Sequence, residues 1–203
     1  MVGGCVGDPC DAAAVDTARL LGKQGYAIVT GGGPGIMQAA NEGAKLAAVK
    51  SIGLNIELPF EQHLNPYCDV SVDFRYFFVR KVMLVKVASA FVIFPGGYGT
   101  LDELMEALTL VQTGKISNFP IILYGSDYWS GLVKWLKDTV LPDGKISASD
   151  IDLLRIVDTP EDVVNIVKAT TSRGTDHDHQ IDIELASLAD VAKAYAPPPF
   201  AEQ

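Results

Sequence analysis

Residues 90–111 limit what this chain can fold into more than any other stretch. Residues 90–94 are apolar and β-favouring and are followed by a proline, which predicts a buried strand. Residues 104–111 are apolar at helical spacing, so we predict a helix that starts near Thr100. Glycine lets a backbone approach a ligand, and the first amides of a helix favour negative charge, so this combination predicts an anion site. The turn between the two elements contains Gly96, Gly97 and Gly99.

Thr100 and Glu103 at the start of this helix have two interpretations. In the first they form a capping box, in which each side chain satisfies a backbone amide of the helix start. In the second, Glu103 lies one turn into the helix beside a bound phosphate. The two interpretations exclude each other, because a carboxylate folded back on the helix start does not face a substrate. The glycines favour the second interpretation, since a plain helix start does not need three of them.

Predicted strands and helices alternate along the rest of the chain. β-Favouring runs predict strands at residues 26–30, 51–56, 90–94, 120–124 and 155–157, with the tail of a further strand at residues 1–7. Helical periodicity predicts helices at residues 11–24, 36–48, 74–89, 127–139 and 160–169. Residues 57–73, which contain prolines and polar residues, are predicted to be a loop.

This alternation predicts an α/β fold, with a Rossmann-like, doubly wound, mainly parallel sheet and helices on both faces. Another glycine turn, residues 31–35, follows the strand at residues 26–30, and because it comes earlier in the chain we call it the first glycine turn and residues 96–99 the second. In such sheets ligands bind outside the carboxyl ends of the strands, where both glycine turns would fall. We assign residues 1–170 to one nucleotide-binding domain and residues 171–203 to a polar tail or an arm onto a neighbouring subunit.

The composition favours a soluble, cytoplasmic protein. A net charge of −9 argues against a broad nucleic-acid or anionic-membrane surface. Three cysteines without a framework spacing suit a reducing compartment, and the longest apolar stretch is too short to span a bilayer. His177 and His179 lie in the acidic tail, so we predict no metal site and no metal cofactor there.

Several nucleotide chemistries fit the motifs poorly. The first glycine turn lacks the third glycine of the dinucleotide fingerprint, and the strand after it ends at Asn55 instead of an acid. No phosphate-binding loop of the nucleoside triphosphatases occurs, and no lysine stands out for pyridoxal chemistry. A monophosphate held by a glycine turn remains, with an arginine-bearing helix and an acid close by.

At this point the sequence resembles the LOG (Lonely Guy) family, whose members are cytokinin riboside 5′-monophosphate phosphoribohydrolases and are often labelled lysine decarboxylases. The resemblance rests on the string P-G-G-Y-G-T-L-D-E at residues 95–103, on G-G-P-G-I-M at residues 32–37 and on Arg80-Lys81. It covers roughly residues 1–170. Further positions resemble the longer, bacterial-type branch, whose members are often larger assemblies than dimers: Asn55, residues 61–62, 65–67 and 76–78.

The resemblance implies an activity and a set of site residues. The expected reaction is hydrolysis of the N-glycosidic bond of a nucleoside 5′-monophosphate by a homo-oligomeric enzyme without a cofactor. Its catalytic pair falls on Arg80 and Glu103. The positions implied to bind substrate or phosphate are Lys81, Gly96, Gly97, Gly99, Thr100, Gly33 and Gly35.

Alternatives remain open at this stage. The chain could be a non-catalytic nucleotide-binding or molybdenum-cofactor carrier protein, or its usual substrate could be plain AMP. Lys81 could equally be a solvated helix residue, and Asp102 and Glu106 are expected to be solvated charges, with Glu106 near enough to tune Glu103. Residues 76–78 could line a base pocket or pack between subunits.

Overall fold

A computed structural model describes residues 10–57, 64–170 and Asp190 of the chain. The predictions for residues 1–7, for residues 61–62 and for the tail at residues 171–203, apart from Asp190, lie outside the described residues. Among the described residues, no helix combines the length and the apolar character needed to cross a membrane.

Helices and strands mostly alternate from Cys10 to Thr170. The strands are β1 (Ile28–Thr30), β2 (Ser51–Ile56), β3 (Val70–Phe74), β4 (Phe91–Ile93), β5 (Ile121–Tyr124) and β6 (Leu154–Val157). The helices are α1 (Cys10–Gly22), α2 (Ile36–Leu46), α3 (Phe77–Val87), α4 (Tyr98–Gln112), α5 (Ser126–Trp135), which continues into a π-helical turn (Leu136–Val140), α6 (Ala148–Ile151) and α7 (Pro160–Thr170).

The strands of the described part of the chain form two parallel sheets. In the first the order is β1-β2-β3, with Leu54 of β2 opposite Val72 of β3. In the second the order is β4-β5-β6, with Val92 of β4 opposite Ile122 of β5. Parallel neighbours need crossover connections. Helices supply them between β1 and β2, between β4 and β5 and between β5 and β6, whereas no described helix lies between β2 and β3. The predicted parallel α/β architecture is therefore confirmed.

Two hydrophobic cores cover the sheets, one on each face, and each core contains residues of both sheets. On one face Leu54 and Ile93 belong to a single buried cluster with residues of α3, α4 and α5. On the other face Ile28 and Val92 belong to a cluster with residues of α1, α2 and α7. Successive residues of a strand point to opposite faces, so neighbours such as Val92 and Ile93 bury themselves in different cores. Helices on both faces are the consequence, as the doubly wound prediction requires.

The prediction of a loop over residues 57–73 is wrong at its carboxyl end. Val70–Phe74 is a strand that pairs with β2 along its length. Its pattern alternates, with Val72 and Phe74 buried and Ser71 and Asp73 exposed. A strand this short, placed after a polar and proline-containing segment, gives little periodic signal. As a result α3 begins at Phe77, three residues later than predicted.

Candidate active site

The first glycine turn joins β1 to α2 at the carboxyl end of its strand. Gly32 and Gly35 have φ angles of 73° and 68°, in the left-handed region that favours glycine. Gly35 is the N-cap of α2, and within the described structure no side chain caps this helix start. Its first amides are therefore not satisfied by a described side chain, and anion binding by Gly33 and Gly35 stays a prediction.

The second glycine turn joins β4 to α4, and the capping-box interpretation is wrong. The helix begins at Tyr98, with Gly97 as its N-cap and no capping side chain among the described residues. Thr100 lies inside the first turn, and its amide bonds to the carbonyl of Gly97 at 3.0 Å. Glu103 is thus free of the capping role and can serve another.

Open space adjoins the second turn. A Cβ placed on Gly97 or on Gly99 would meet no described atom within 4 Å. Tyr128 of α5, which the sequence analysis did not single out, donates a hydrogen bond of 2.6 Å from its hydroxyl to the carbonyl of Gly96. A lone tyrosine in an amphipathic helix carries no sequence signal for such a role. The second turn is therefore fixed by a hydrogen bond at Gly96 and adjoins open space at Gly97 and Gly99.

Arg80 and Glu103 carry buried polar atoms that the described residues leave without hydrogen bonds. Glu103 is only 2% exposed, although it is a carboxylic acid. Its Oε1 and the Nε of Arg80 are both buried and have no hydrogen-bond partner within residues 10–57 and 64–170. Buried polar groups are normally satisfied, so these two unpaired atoms indicate a place for a ligand or a water molecule.

The pKa of Glu103 is raised from its ordinary 4.5 to about 7. Burial is the largest cause, because it disfavours the charged form. The charges of Glu106 and Asp102 also raise this pKa, whereas Arg80 and Lys81 lower it. Burial likewise lowers the pKa of Arg80, against the attraction of Glu103 and Asp102. Glu103 can consequently exchange a proton near neutral pH, as a general acid or base must.

Lys81 of α3 forms ion pairs with two carboxylates of α4. Its Nζ lies 2.9 Å from Asp102 Oδ1 and 2.6 Å from Glu106 Oε2. Asp102 is a solvated charge as expected, with its side chain 60% exposed, but both it and Glu106 are also paired with Lys81. The side chain of Lys81 is only 18% exposed, so the alternative of a solvated helix residue is wrong. Because two carboxylates bind Lys81, its expected contact with a phosphate stays a prediction.

Arg80 also lies against the first glycine turn. A Cβ built on Gly31 would come within 3.3 Å of Arg80 Nη1 and 2.9 Å of Met37 Sδ. The arginine thus touches the first turn and acts electrostatically on Glu103, which follows the second turn. Its guanidinium also stacks over the ring of Phe77, 5.6 Å from the centroid. Arg80 therefore links the first turn to Glu103 of the helix that follows the second turn, and we call this region, at the carboxyl ends of β1 and β4, the crevice.

A sequence profile of the family described as "Possible lysine decarboxylase" matches residues 37–167, which is more than half of the chain. The chain belongs to this family, the LOG family. The match includes Arg80, Lys81 and the whole second glycine turn.

Named relatives in the LOG family come from plants and bacteria. A probable cytokinin riboside 5′-monophosphate phosphoribohydrolase of rice (Oryza sativa subsp. japonica) is 33% identical over 68% of this chain and 65% of its own length. A cytokinin riboside 5′-monophosphate phosphoribohydrolase of Mycobacterium marinum is 26% identical over 79% of this chain and 88% of its own. The chain thus spans slightly less than two thirds of the rice protein but most of the mycobacterial one.

Solved structures similar to this LOG-family chain share its fold. The molybdenum cofactor binding protein of Rippkaea orientalis superposes with a TM-score of 0.60 at 23% identity, over 82% of this chain and 92% of that one. The molybdenum cofactor carrier protein of Chlamydomonas reinhardtii gives 0.59 at 19% identity, over 81% and 89%. At such identities the likeness establishes the architecture alone.

Proposed function

We propose that this chain hydrolyses the N-glycosidic bond of N6-modified adenosine 5′-monophosphates, releasing a cytokinin-type base and ribose 5-phosphate. The observation that carries the proposal is the buried Glu103, whose Oε1 is unpaired among the described residues, beside Arg80 and two glycine-led helix starts. A binding site for a phosphate does not require a buried acid next to it, whereas a glycosidic reaction does. The activities named for the rice and mycobacterial relatives support the same reaction.

Glu103 acts on the ribose in this mechanism. As the bond between C1′ and the base breaks, positive charge develops on the sugar, and a nearby carboxylate stabilises it. The same carboxylate orients a water molecule, whose hydroxyl is added to C1′ while its second proton ends on the departing base. Glu103 must be ionised for this role. Arg80 favours the ionised form and binds the phosphate or the ribose.

The glycine turns bind and orient the substrate. The 5′-phosphate lies on the turn formed by residues 96–100, and the amides of the first turn at Gly33 and Gly35 contribute to binding the same phosphate, with Lys81 completing the substrate site. Binding energy from this remote phosphate fixes the sugar so that C1′ stays beside Glu103. No resident metal or cofactor takes part in the proposed reaction.

Incubation with AMP and with N6-isopentenyl-AMP, followed by chromatography for the released base, tests the proposal. We expect base from both, and faster release from the N6-modified substrate. Faster release from AMP would make plain AMP the substrate. No base from either, together with tight nucleotide binding, would favour a carrier of nucleotide or molybdenum cofactor, the function named for the similar solved structures.

Substitution of Glu103 tests the assignment of the acid. We expect Glu103→Gln to lower kcat by about 10²- to 10⁴-fold, because the amide can neither ionise nor take a proton. Asp102→Asn is the matched control, since it neutralises the adjacent, more exposed carboxylate. Full turnover by the Glu103→Gln variant would remove Glu103 from the mechanism.

We further infer that the protein works as a homo-oligomer in the cytoplasm. Three apolar side chains of α3 are more than half exposed, which favours a subunit contact there: Phe77, Phe78 and Val82. Cys68 forms no disulfide within the described residues, which suits a reducing compartment.

A further inference from the structure

A buried polar cluster lies behind the first glycine turn, and the proposed reaction does not use it. It consists of Thr30 on β1, Asn41 on α2, Ser51 on β2 and Asn65 in the segment before β3. Each of these side chains belongs to a residue that is at most 4% exposed. Burying polar side chains costs free energy unless they are hydrogen-bonded, so their partners indicate what the cluster stabilises.

Asn65 binds the turn directly. Its side-chain Nδ2 lies 3.1 Å from the carbonyl oxygens of both Gly32 and Gly33, and 3.0 Å from Asn41 Oδ1. Its backbone amide donates a second bond of 2.9 Å to the Gly32 carbonyl. Its own Oδ1 accepts a hydrogen bond from the amide of Tyr67 at 3.1 Å. The side chain is therefore fixed at both ends.

The rest of the cluster anchors the same turn to the sheet and to α2. The Gly32 amide donates to Thr30 Oγ1 at 2.9 Å, and that hydroxyl donates to Asn41 Oδ1 at 2.7 Å. Asn41 in turn donates to Ser51 Oγ at 2.8 Å. The chain of hydrogen bonds thus runs from the turn to β2, with Ser51 at its far end.

This arrangement controls which polar groups the turn shows to a ligand. Carbonyl oxygens carry partial negative charge and repel a phosphate, whereas amides attract it. Asn65 holds the two carbonyls of Gly32 and Gly33 on the buried side. Gly31, the preceding residue, packs against Arg80, so the position of the turn also limits where the guanidinium can lie.

We infer that Asn65 is a positioning residue, which orients the first glycine turn for a 5′-phosphorylated ligand and keeps Arg80 in place. It acts through the backbone of Gly32 and Gly33 and touches no reacting atom. The inference rests on the proposed function for the nature of the ligand, and it gives the segment before β3 a role in substrate binding.

The test compares variants at both ends of the hydrogen-bond chain. Asn65→Ala and Asn65→Asp remove the donor, and the aspartate places a carboxylate against two carbonyls. Thr30→Val, on a different element, removes the acceptor of the Gly32 amide. Ser51→Ala is the matched control. It removes the buried hydrogen bond between Asn41 and Ser51 of the same cluster, and Ser51 does not contact the turn.

All these variants are made in a Glu103→Gln parent, so that AMP is not hydrolysed during the titration. Isothermal titration calorimetry with AMP and with adenosine, well below each variant's unfolding temperature, then supplies a readout that simple destabilisation would not change. We expect the Asn65 variants and Thr30→Val to bind AMP at least about tenfold more weakly. The reason is that an amide of the turn would no longer point at the phosphate, so a charge-assisted hydrogen bond is lost. Adenosine affinity should change little, because it has no phosphate. Ser51→Ala should bind both as the parent does. If Asn65→Ala does not fold, Asn65→Asp and Thr30→Val carry the same comparison.

The outcomes separate this inference from the proposed function. Wild-type protein that binds AMP but releases no base removes the hydrolase, and the binding comparison still decides the role of Asn65. Hydrolysis by wild type together with unchanged AMP affinity in folded Asn65 variants overturns the positioning role alone. Equal losses for AMP and adenosine, equal losses in Ser51→Ala, or no AMP binding by the Glu103→Gln parent would also overturn it.

Discussion

At the scale of single residues, Glu103 is controlled by two opposing effects. Burial favours its protonated form and outweighs the attraction of Arg80, so its pKa rises to about 7. Lys81 pairs with Asp102 and Glu106 nearby, and these three charges also shift the pKa of Glu103. A proposed catalytic acid that is half-ionised near neutrality should respond measurably to each neighbour.

The pH dependence of kcat/KM should therefore shift in opposite directions in two variants. The proposed reaction needs ionised Glu103, so kcat/KM falls as the pH drops below the pKa of about 7. Glu106→Gln removes a negative charge and frees Lys81, which lowers that pKa and moves the acid limb to lower pH. Lys81→Gln removes a positive charge, which moves the limb to higher pH. Profiles recorded with AMP check both shifts, and shifts of the same sign in both variants would contradict the assignment.

Stability should also depend on the ionisation of Glu103. Below the ordinary pKa of 4.5 the group is protonated in both the folded and the unfolded state. As pH rises from there to about 7, the unfolded state loses the proton first, so the free energy of unfolding falls, in total by about 3 kcal/mol. Glu103→Gln does not titrate and should lack this loss. Urea unfolding of both proteins at pH 5 and pH 8 measures the difference, and an identical pH dependence would argue against a raised pKa.

At the scale of secondary-structure elements, two helix starts without a capping side chain among the described residues define the crevice. Both α2 and α4 begin at a glycine N-cap, Gly35 and Gly97, and both follow a strand of the parallel sheets. Side-chain caps would satisfy the first amides and leave nothing for an anion. The glycines thus favour ligand binding at the expense of local stability.

Gly99→Ala should separate binding from stability. A methyl group on Gly99 meets no described atom within 4 Å, and alanine in a helix is more stable than glycine by about 0.5–1 kcal/mol. We therefore expect an unchanged or higher unfolding temperature and clearly weaker binding of AMP, because the methyl occupies the path of the phosphate. Gly131→Ala is the control: that position in α5 is equally open but belongs to neither glycine turn. Normal AMP binding by Gly99→Ala would place the phosphate elsewhere.

At the scale of the whole molecule, one helix serves both the crevice and the surface. α3 directs Val79, Met83 and Leu84 into the core and carries Arg80 at the crevice. Its remaining side contains Phe78 and Val82, which are 61% and 54% exposed. Apolar side chains grouped this way on a water-exposed helix are typical of a subunit contact.

Disruption of this surface should change the size of the assembly. We expect Phe78→Asp to shift the protein to a smaller species, because a buried charge in an apolar contact is strongly unfavourable. Leu46→Asp provides the control, since Leu46 on α2 is also 61% exposed but lies on another helix. Light scattering coupled to size-exclusion chromatography measures both variants. An unchanged mass for Phe78→Asp would place the contact on another surface.

Local sequence patterns determined the architecture and the identity of the central residues. Short-range physics decides whether a run such as residues 120–124 is a strand and whether glycines precede a helix, so the parallel sheets and both turns were predictable. Resemblance to the LOG family supplied Arg80 and Glu103, whose catalytic roles stay predictions. Local patterns misplaced β3, whose strand state depends on pairing with β2.

Only the tertiary structure decided how these residues act on one another. Three features depend on segments that are far apart in sequence: the burial of Glu103, the ion pairs of Lys81 and the contact of Gly31 with Arg80. The same holds for Asn65, which reaches across 32 residues to the Gly33 carbonyl. Periodicity records which face of an element is apolar, but a pKa or a hydrogen bond depends on which elements meet. Which elements contact one another is decided by the packing of the whole chain. The chemistry of the crevice could therefore not be predicted from the spacing of residues in the sequence.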